Sequence, residues 1–357
     1  MRDVIAIENL TYRGEEQALD CLLQSHRGVA PHLEFRTARE WFFRLAAYLT
    51  PGATRDPDLS RVASEVFGCA TPQIPKWCIL EEREDSPVFA CSFNHSWALW
   101  AWSKWLAKRN NADQLGNRRP MIVHLDSHDD LAAPPLRFTA RRSQFEAAFD
   151  GLIVDLKRPA SISAAIDLGL VGIGSFIVPF LHGLTGFEFV HLCMDTSDQT
   201  QSQGSLSLGS RESGEVMKRP ELLIADGSPG RKQGGRELGT YKFGPDFSIL
   251  GILEPAGPVL LDIDMDFFCN RYDDSMEGRN RCVTDNCHTR ESICDLIDEL
   301  GFHLRSNRGL CNQVEVVTIA LSPGFFPSEF SKVTLAYLRD TLAAVLNKGD
   351  GSSPTSS

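Results

Sequence analysis

Two stretches of the chain carry more charge than a buried strand normally tolerates. The first is Val123-His124-Leu125-Asp126-Ser127-His128-Asp129-Asp130, and the second is Leu261-Asp262-Ile263-Asp264-Met265-Asp266-Phe267-Phe268. Each begins as an apolar, β-branched run and acquires a charged residue at every second position. In an extended chain that spacing puts alternate side chains on one face. His124, Asp126, His128 and Asp130 can therefore share a face, as can Asp262, Asp264 and Asp266. Several carboxylates buried together are strongly unfavourable without a counter-charge, and a divalent cation supplies one. Mixed carboxylate and imidazole donors with no thiolate suit manganese, iron or zinc, and a set this rich in carboxylate leans towards manganese. A single aspartate at a strand end usually caps a helix or forms a turn, and a lone DxD pair is common. Two separate acidic strand ends, one with an interposed histidine, are harder to explain that way. His95, in Phe93-Asn94-His95-Ser96, lies at a third strand-to-helix turn and is the next candidate ligand.

The elements that must position these residues alternate along the chain. Residues 88–93 (VFACSF) read as a short buried strand, and His95 to Trp105 as a helix bulked by Trp97, Trp100, Trp102 and Trp105. Further strands are expected at Met121–Leu125, within 187–193, at Pro258–Phe268 and at Val314–Leu321. The last is closed by Ser322-Pro323-Gly324 and followed by a helix from about Ser328 to Leu346. An amphipathic helix is expected over Ala38–Leu49, ended by Thr50-Pro51-Gly52. Alternating strands and helices predict an α/β fold with a mostly parallel sheet and helices on both faces. In such sheets the ligand sits at the carboxyl ends of the strands. The reading is one catalytic domain over 1–345, with 1–85 as decoration. The Ser-, Gln- and Gly-rich span 196–240 is expected to be a mobile, loop-like insertion, and 346–357 a disordered tail.

Composition narrows the function classes. Hydrophobic residues make up 42% and charged residues 23% of 357 residues, which suits a soluble enzyme with a sizeable core. A formal net charge of −11 argues against nucleic acid as a partner and is compatible with a cationic substrate. The longest apolar stretch, LGLVGIGSFIVPFLHGL, is broken by proline, histidine and glycines, so no membrane span is expected. MRDVIAIENL lacks the pattern of a secretory signal. Ten scattered cysteines then read as reduced thiols in a cytoplasmic protein. The group Cys282, Cys287, His288 and Cys294 fits no common zinc spacing.

Asp126-Ser127-His128-Asp129-Asp130 resembles the DxHxD motif of the ureohydrolases, the arginase and agmatinase superfamily. Asp264-Met265-Asp266 resembles its DxD motif, and Asn94-His95-Ser96 its upstream Asp-His-Ser. The pairing of HxDSHxD with LDIDxDFF is similar to the branch that includes the peptide arginases of bacterial peptide-natural-product clusters. Residues 173–192 and 317–327 also resemble that branch, and the likeness spans roughly 85–345. It implies a three-layer α/β/α arginase/deacetylase-like fold with a binuclear centre of two Mn2+. It implies the metal ligands His95, Asp126, His128, Asp130, Asp264 and Asp266, with Asp262 either a ligand in place of Asp266 or a partner behind the ligands.

The implied reaction is hydrolysis of an arginine side chain within a peptide, such as a precursor peptide, to ornithine and urea. Asp130 would pass the proton, with His182 in FLHGL as a candidate proton shuttle, though a packed core histidine accounts for it as well. Asp129, if it reaches the pocket rim, and Ser322 are candidate substrate contacts. The chain departs from small-molecule arginases at Asn94, at Thr318–Pro323, which holds no carboxylate, and at Ala132-Ala133-Pro134-Pro135. The last two departures favour an arginine held through its peptide backbone. The alternatives are a one-zinc amidohydrolase or deacetylase of the same fold, and a non-catalytic metal-binding protein. A haloacid-dehalogenase-type phosphatase matches Leu261-Asp262-Ile263-Asp264 but leaves the HxDSHDD segment unexplained.

Overall fold

The computed structural model describes residues 65–66, 78–82, 86–109, 118–132, 134, 136–147, 151–168, 170–194, 201–210, 220–226, 236–270, 289–322 and 325–347. The expected Ala38–Leu49 helix, most of the 1–85 decoration, Cys282, Cys287, His288 and the 348–357 tail lie outside the described residues.

In chain order the elements are β1 (Cys78–Glu81), β2 (Val88–Ser92), a 3-10 turn (His95–Trp97), α1 (Ala98–Lys108), β3 (Met121–Leu125), β4 (Leu136–Phe138), β5 (Gln144–Ala147) and β6 (Ile153–Asp155). They continue with α2 (Pro159–Asp167), α3 (Ile177–Gly183), β7 (Phe187–Leu192), β8 (Ser202–Ser210), β9 (Pro220–Asp226) and β10 (Arg236–Gly244). A 3-10 segment (Phe247–Ile252), β11 (Val259–Asp264), a 3-10 turn (Met265–Phe267), α4 (Arg290–Ser306), α5 (Arg308–Gln313), β12 (Val314–Ala320) and α6 (Ser328–Leu346) complete the set.

Nine strands form one sheet in the order β1-β2-β12-β11-β3-β7-β10-β8-β9, and β4-β5-β6 form a small antiparallel sheet. The run β2-β12-β11-β3-β7-β10 is parallel throughout, whereas β1, β8 and β9 each pair antiparallel to their neighbours. A parallel sheet needs apolar side chains on both faces, and β3 and β11 supply them, every residue of each being buried. Met121, Val123 and Leu125 of β3, with Leu261 and Ile263 of β11, join the core under α4, α5 and α6. Ile122 and Leu260, with Phe189 and Val316, join the core under α1, α2 and α3. Two cores on opposite sheet faces make three layers, as expected of this class.

The chain moves outward from β3 to β7 and β10 on one side, then returns to place β11 and β12 on the other. The carboxyl ends of β3 and β11 thus flank a switch point, where crevices open in open α/β sheets. The loop reading of 196–240 is corrected here, because the span supplies β8, β9 and most of β10. They extend the sheet beyond β7, with β9 at its edge. In β8 Ser202 and Gln203 are exposed while Leu206 and Ser207 are buried, so the strand starts in solvent and its polar opening residues give a loop-like sequence. Among the described residues, no helix is long and apolar enough to cross a membrane.

Candidate metal centre

The ligand candidates converge, although not through strand alternation. β3 ends at Leu125, and Asp126 turns the chain by accepting the His128 N–H on Oδ1 at 2.7 Å. β11 ends at Asp264, whose Oδ1 accepts the Asp266 N–H at 3.1 Å. These are Asx turns, in which a short acidic side chain replaces the next strand bond. Asn94 acts in the same way after β2, its Oδ1 accepting from the Ser96 N–H at 3.1 Å. The amide therefore fulfils the capping part of the aspartate that the resemblance would place there.

Two donor sets result. In the first, His95 Nδ1 lies 2.9 Å from Asp264 Oδ2 and 3.1 Å from both Asp126 Oδ2 and Asp130 Oδ2. In the second, His128 Nδ1 lies 3.2 Å from Asp126 Oδ1 and 3.3 Å from Asp266 Oδ2. Asp126 contributes one oxygen to each. His95 Nδ1, Asp126 Oδ2 and both Asp266 oxygens are buried without a hydrogen-bond partner among the described residues. Buried polar atoms are rarely left so, and donors of this chemistry crowded together fit a divalent cation.

Asp262 resolves into a supporting role. It is fully buried. Its Oδ2 accepts from His95 Nε2 at 3.0 Å and from His124 Nδ1 at 2.8 Å, and its Oδ1 accepts from the Thr318 hydroxyl. His124, Asp262 and Thr318 face one another in register across β3, β11 and β12. His124 lies near enough to His95 and Asp126 to count as a third imidazole. Its nitrogens are already used, however, Nδ1 by Asp262 and Nε2 by the His128 carbonyl at 3.2 Å. Behind it His191 places Nε2 3.2 Å from the Asp126 carbonyl and Nδ1 3.3 Å from the Tyr241 hydroxyl.

The electrostatics record the crowding. Burial, reinforced by the Asp126 charge, pushes Asp130 up to about 7. Burial and the charges of Asp264 and Asp126 hold Asp266 well above the usual carboxylate range. For Asp126 burial acts upward too, but contacts with His128 and His95 outweigh it and hold the group well below that range. Asp262 likewise overcomes burial through His95 and His124 and sits at about 2. Burial resists a charge on His95 and His124, yet the neighbouring carboxylates, Asp262 foremost, raise both. His191 is lowered to about 4 by burial and by the nearby His124.

Without a metal, then, Asp130 and Asp266 each hold a proton more tightly than an ordinary carboxyl, and a bound cation would compete with it. Metal affinity should fall as pH drops through about 7, by up to about tenfold per pH unit for each proton displaced. Calorimetric titration with manganese at pH 6 and pH 8 checks this, and equal affinities with no proton release would contradict it.

The centre floors a cavity of about 250 Å³, walled by Ala132, Ile173, Gly174, Ser322 and Phe325 and bordered by the exposed Asp129. Asp130 and Ser322, both lining it, adopt positive φ of 50° and 42°. Such backbone strain in non-glycine residues collects at functional sites. The Ser322 hydroxyl donates to Asp264 Oδ2, so it supports a ligand instead of facing free into the cavity.

His182 is not among the cavity-lining residues. On α3 it packs against Phe145, ring centroids 5.2 Å apart, and its expected part as a proton shuttle is corrected accordingly. The sequence reading did not find Phe325, Ile173, Gly174 or the Thr318 support. Thr318 left a signal, as the one uncharged polar residue in the VEVVTIA strand. No family model matches the chain, and no curated protein matches it.

Proposed function

We propose that the protein is an arginase-like binuclear metal hydrolase that converts an arginine side chain in a peptide to ornithine and urea. The observation that carries this reading is the pair of donor sets sharing Asp126 beneath one cavity, with buried oxygens that have no hydrogen-bond partner among the described residues. The three-layer arrangement, with the site at the β3/β11 switch point, supports an arginase/deacetylase-like fold.

His95, Asp126, Asp130 and Asp264 would hold one cation, and His128, Asp126 and Asp266 the other. Two divalent cations, manganese in our reading, would supply a water ionised near neutral pH. Asp262 keeps a proton on His95 Nε2, leaving Nδ1 free to coordinate. Asp130 lines the cavity beside that position. It can take a proton from the attacking water and deliver it to the leaving nitrogen. Guanidinium and water then yield an ammonium side chain and urea, with no other reagent.

A deacetylase of this fold would use one zinc and a tyrosine, and no tyrosine lines the cavity among the described residues. The test is elemental analysis of the purified protein, coupled to a urea assay and mass spectrometry on an arginine-containing peptide. Two manganese per chain and loss of the mass of cyanamide from arginine are expected. A single tightly held zinc, or urea release that survives complete removal of metal, would overturn the reading.

A further inference from the structure

We infer that Asp129 and Phe325 form a cation-selecting mouth, so that the cavity accepts a positively charged chain end on an apolar stem and rejects neutral isosteres. This deepens the proposed function and rests on its two bound cations. Two dications offset the charges of Asp126, Asp130, Asp264 and Asp266. Among the cavity-lining residues this leaves the Asp129 carboxylate unbalanced, and its exposure puts it where the cavity meets solvent. Its Oδ1 accepts the Leu131 N–H at 3.0 Å, which fixes the group there instead of letting it sweep through solvent.

No lysine or arginine lines the cavity among the described residues, and the Ser322 hydroxyl is committed to Asp264. Among the described lining residues a ligand therefore meets no cationic side chain, whereas a cation meets a fixed carboxylate. Phe325 stands half-buried on the wall, its ring centroid 5.3 Å from that of His128. An aromatic ring beside a carboxylate favours a guanidinium or ammonium group. Ala132 and Ile173 offer apolar contact to a methylene stem.

The probes are N-acetyl-arginine amide, N-acetyl-ornithine amide and the neutral N-acetyl-citrulline amide, offered to the manganese-loaded full chain. The ornithine compound should bind in calorimetry, and the citrulline compound at least about fivefold more weakly, the scale of one partly exposed ion pair. Asp129→Asn should weaken ornithine-compound binding by a similar factor of about five, with manganese affinity unchanged. It should raise KM for the arginine compound more than it changes kcat. Phe325→Leu keeps the apolar wall and should weaken the cation about threefold.

Equal binding of the citrulline and ornithine compounds would overturn the inference. So would an Asp129→Asn protein with unaltered cation affinity, or no cation binding by the loaded wild type. Charge-selective binding without urea release would instead leave the mouth standing and remove the proposed reaction.

Discussion

Asp126→Asn should empty both metal positions together. Asp126 is the one residue with an oxygen in each donor set, Oδ2 beside His95 and Oδ1 beside His128. Asparagine preserves the shape and an acceptor for the His128 N–H, so the turn after β3 can survive. What disappears is a negative charge that the two proposed cations would share, on a side chain that is 1% exposed. Loss of an outer partner typically costs about 10–100-fold in metal affinity. Loss of a shared ligand should exceed that, reaching about 10³-fold, or about 4 kcal/mol. Metal content after gel filtration, with circular dichroism to verify the fold, measures it. Two retained equivalents at wild-type affinity would disprove the shared-ligand arrangement.

Asp262→Ala should injure the fold as well as the centre. The substitution strips the acceptor from His95 Nε2, His124 Nδ1 and the Thr318 hydroxyl inside a fully buried layer. Removing one partner of a buried ion pair costs about 3–5 kcal/mol, and metal affinity should fall about 10–100-fold as His95 loses its support. Its folded-state pKa is depressed from 3.8 to about 2. The stability it contributes is therefore present above pH 3.8 and lost as pH falls through about 2. Denaturant unfolding of the metal-free protein at neutral pH reads the effect.

Asp266→Ala is the matched contrast. Its carboxyl is raised in the fold, so in the metal-free protein its charged form opposes folding. Removal should leave metal-free stability equal or higher while weakening the His128 set. If the two alanine variants lost stability equally, the division between supporting and coordinating aspartates would fail.

Much of the site was legible because Asp126 and Asp264 end apolar runs that can only be central parallel strands, and such strands bring their carboxyl ends together. The route was misread. Period-two spacing suggested that Asp130 and Asp266 project from continuing strands. Instead Asp126 and Asp264 stop those strands by bonding the backbone two residues on, a competition that spacing alone does not reveal. Of the residues assigned to a shared strand face, only His124 and Asp262 lie within a strand ahead of its terminal aspartate, and these serve as supports.

His182 misled because a histidine beside glycine in an apolar run gives no sign of which way a short helix faces. The 196–240 span misled for another reason. Its serines and glutamines resemble a linker, but β8 begins with exposed Ser202 and Gln203 and pairs between β10 and β9 all the same. Phe325 could not be singled out from the FF pair, since nothing local says which ring meets His128.

The switch point also sets when the centre can exist. His95 and His124 reach Asp262 across sequence separations of 167 and 138 residues. A chain emerging from the ribosome therefore has neither donor set until β11 has been synthesised and has slotted in beside β3. Such distant pairings form slowly and late. Metal capture at the proposed centre would therefore wait for that pairing, and half-made chains would be spared from binding whatever cation is most abundant around them.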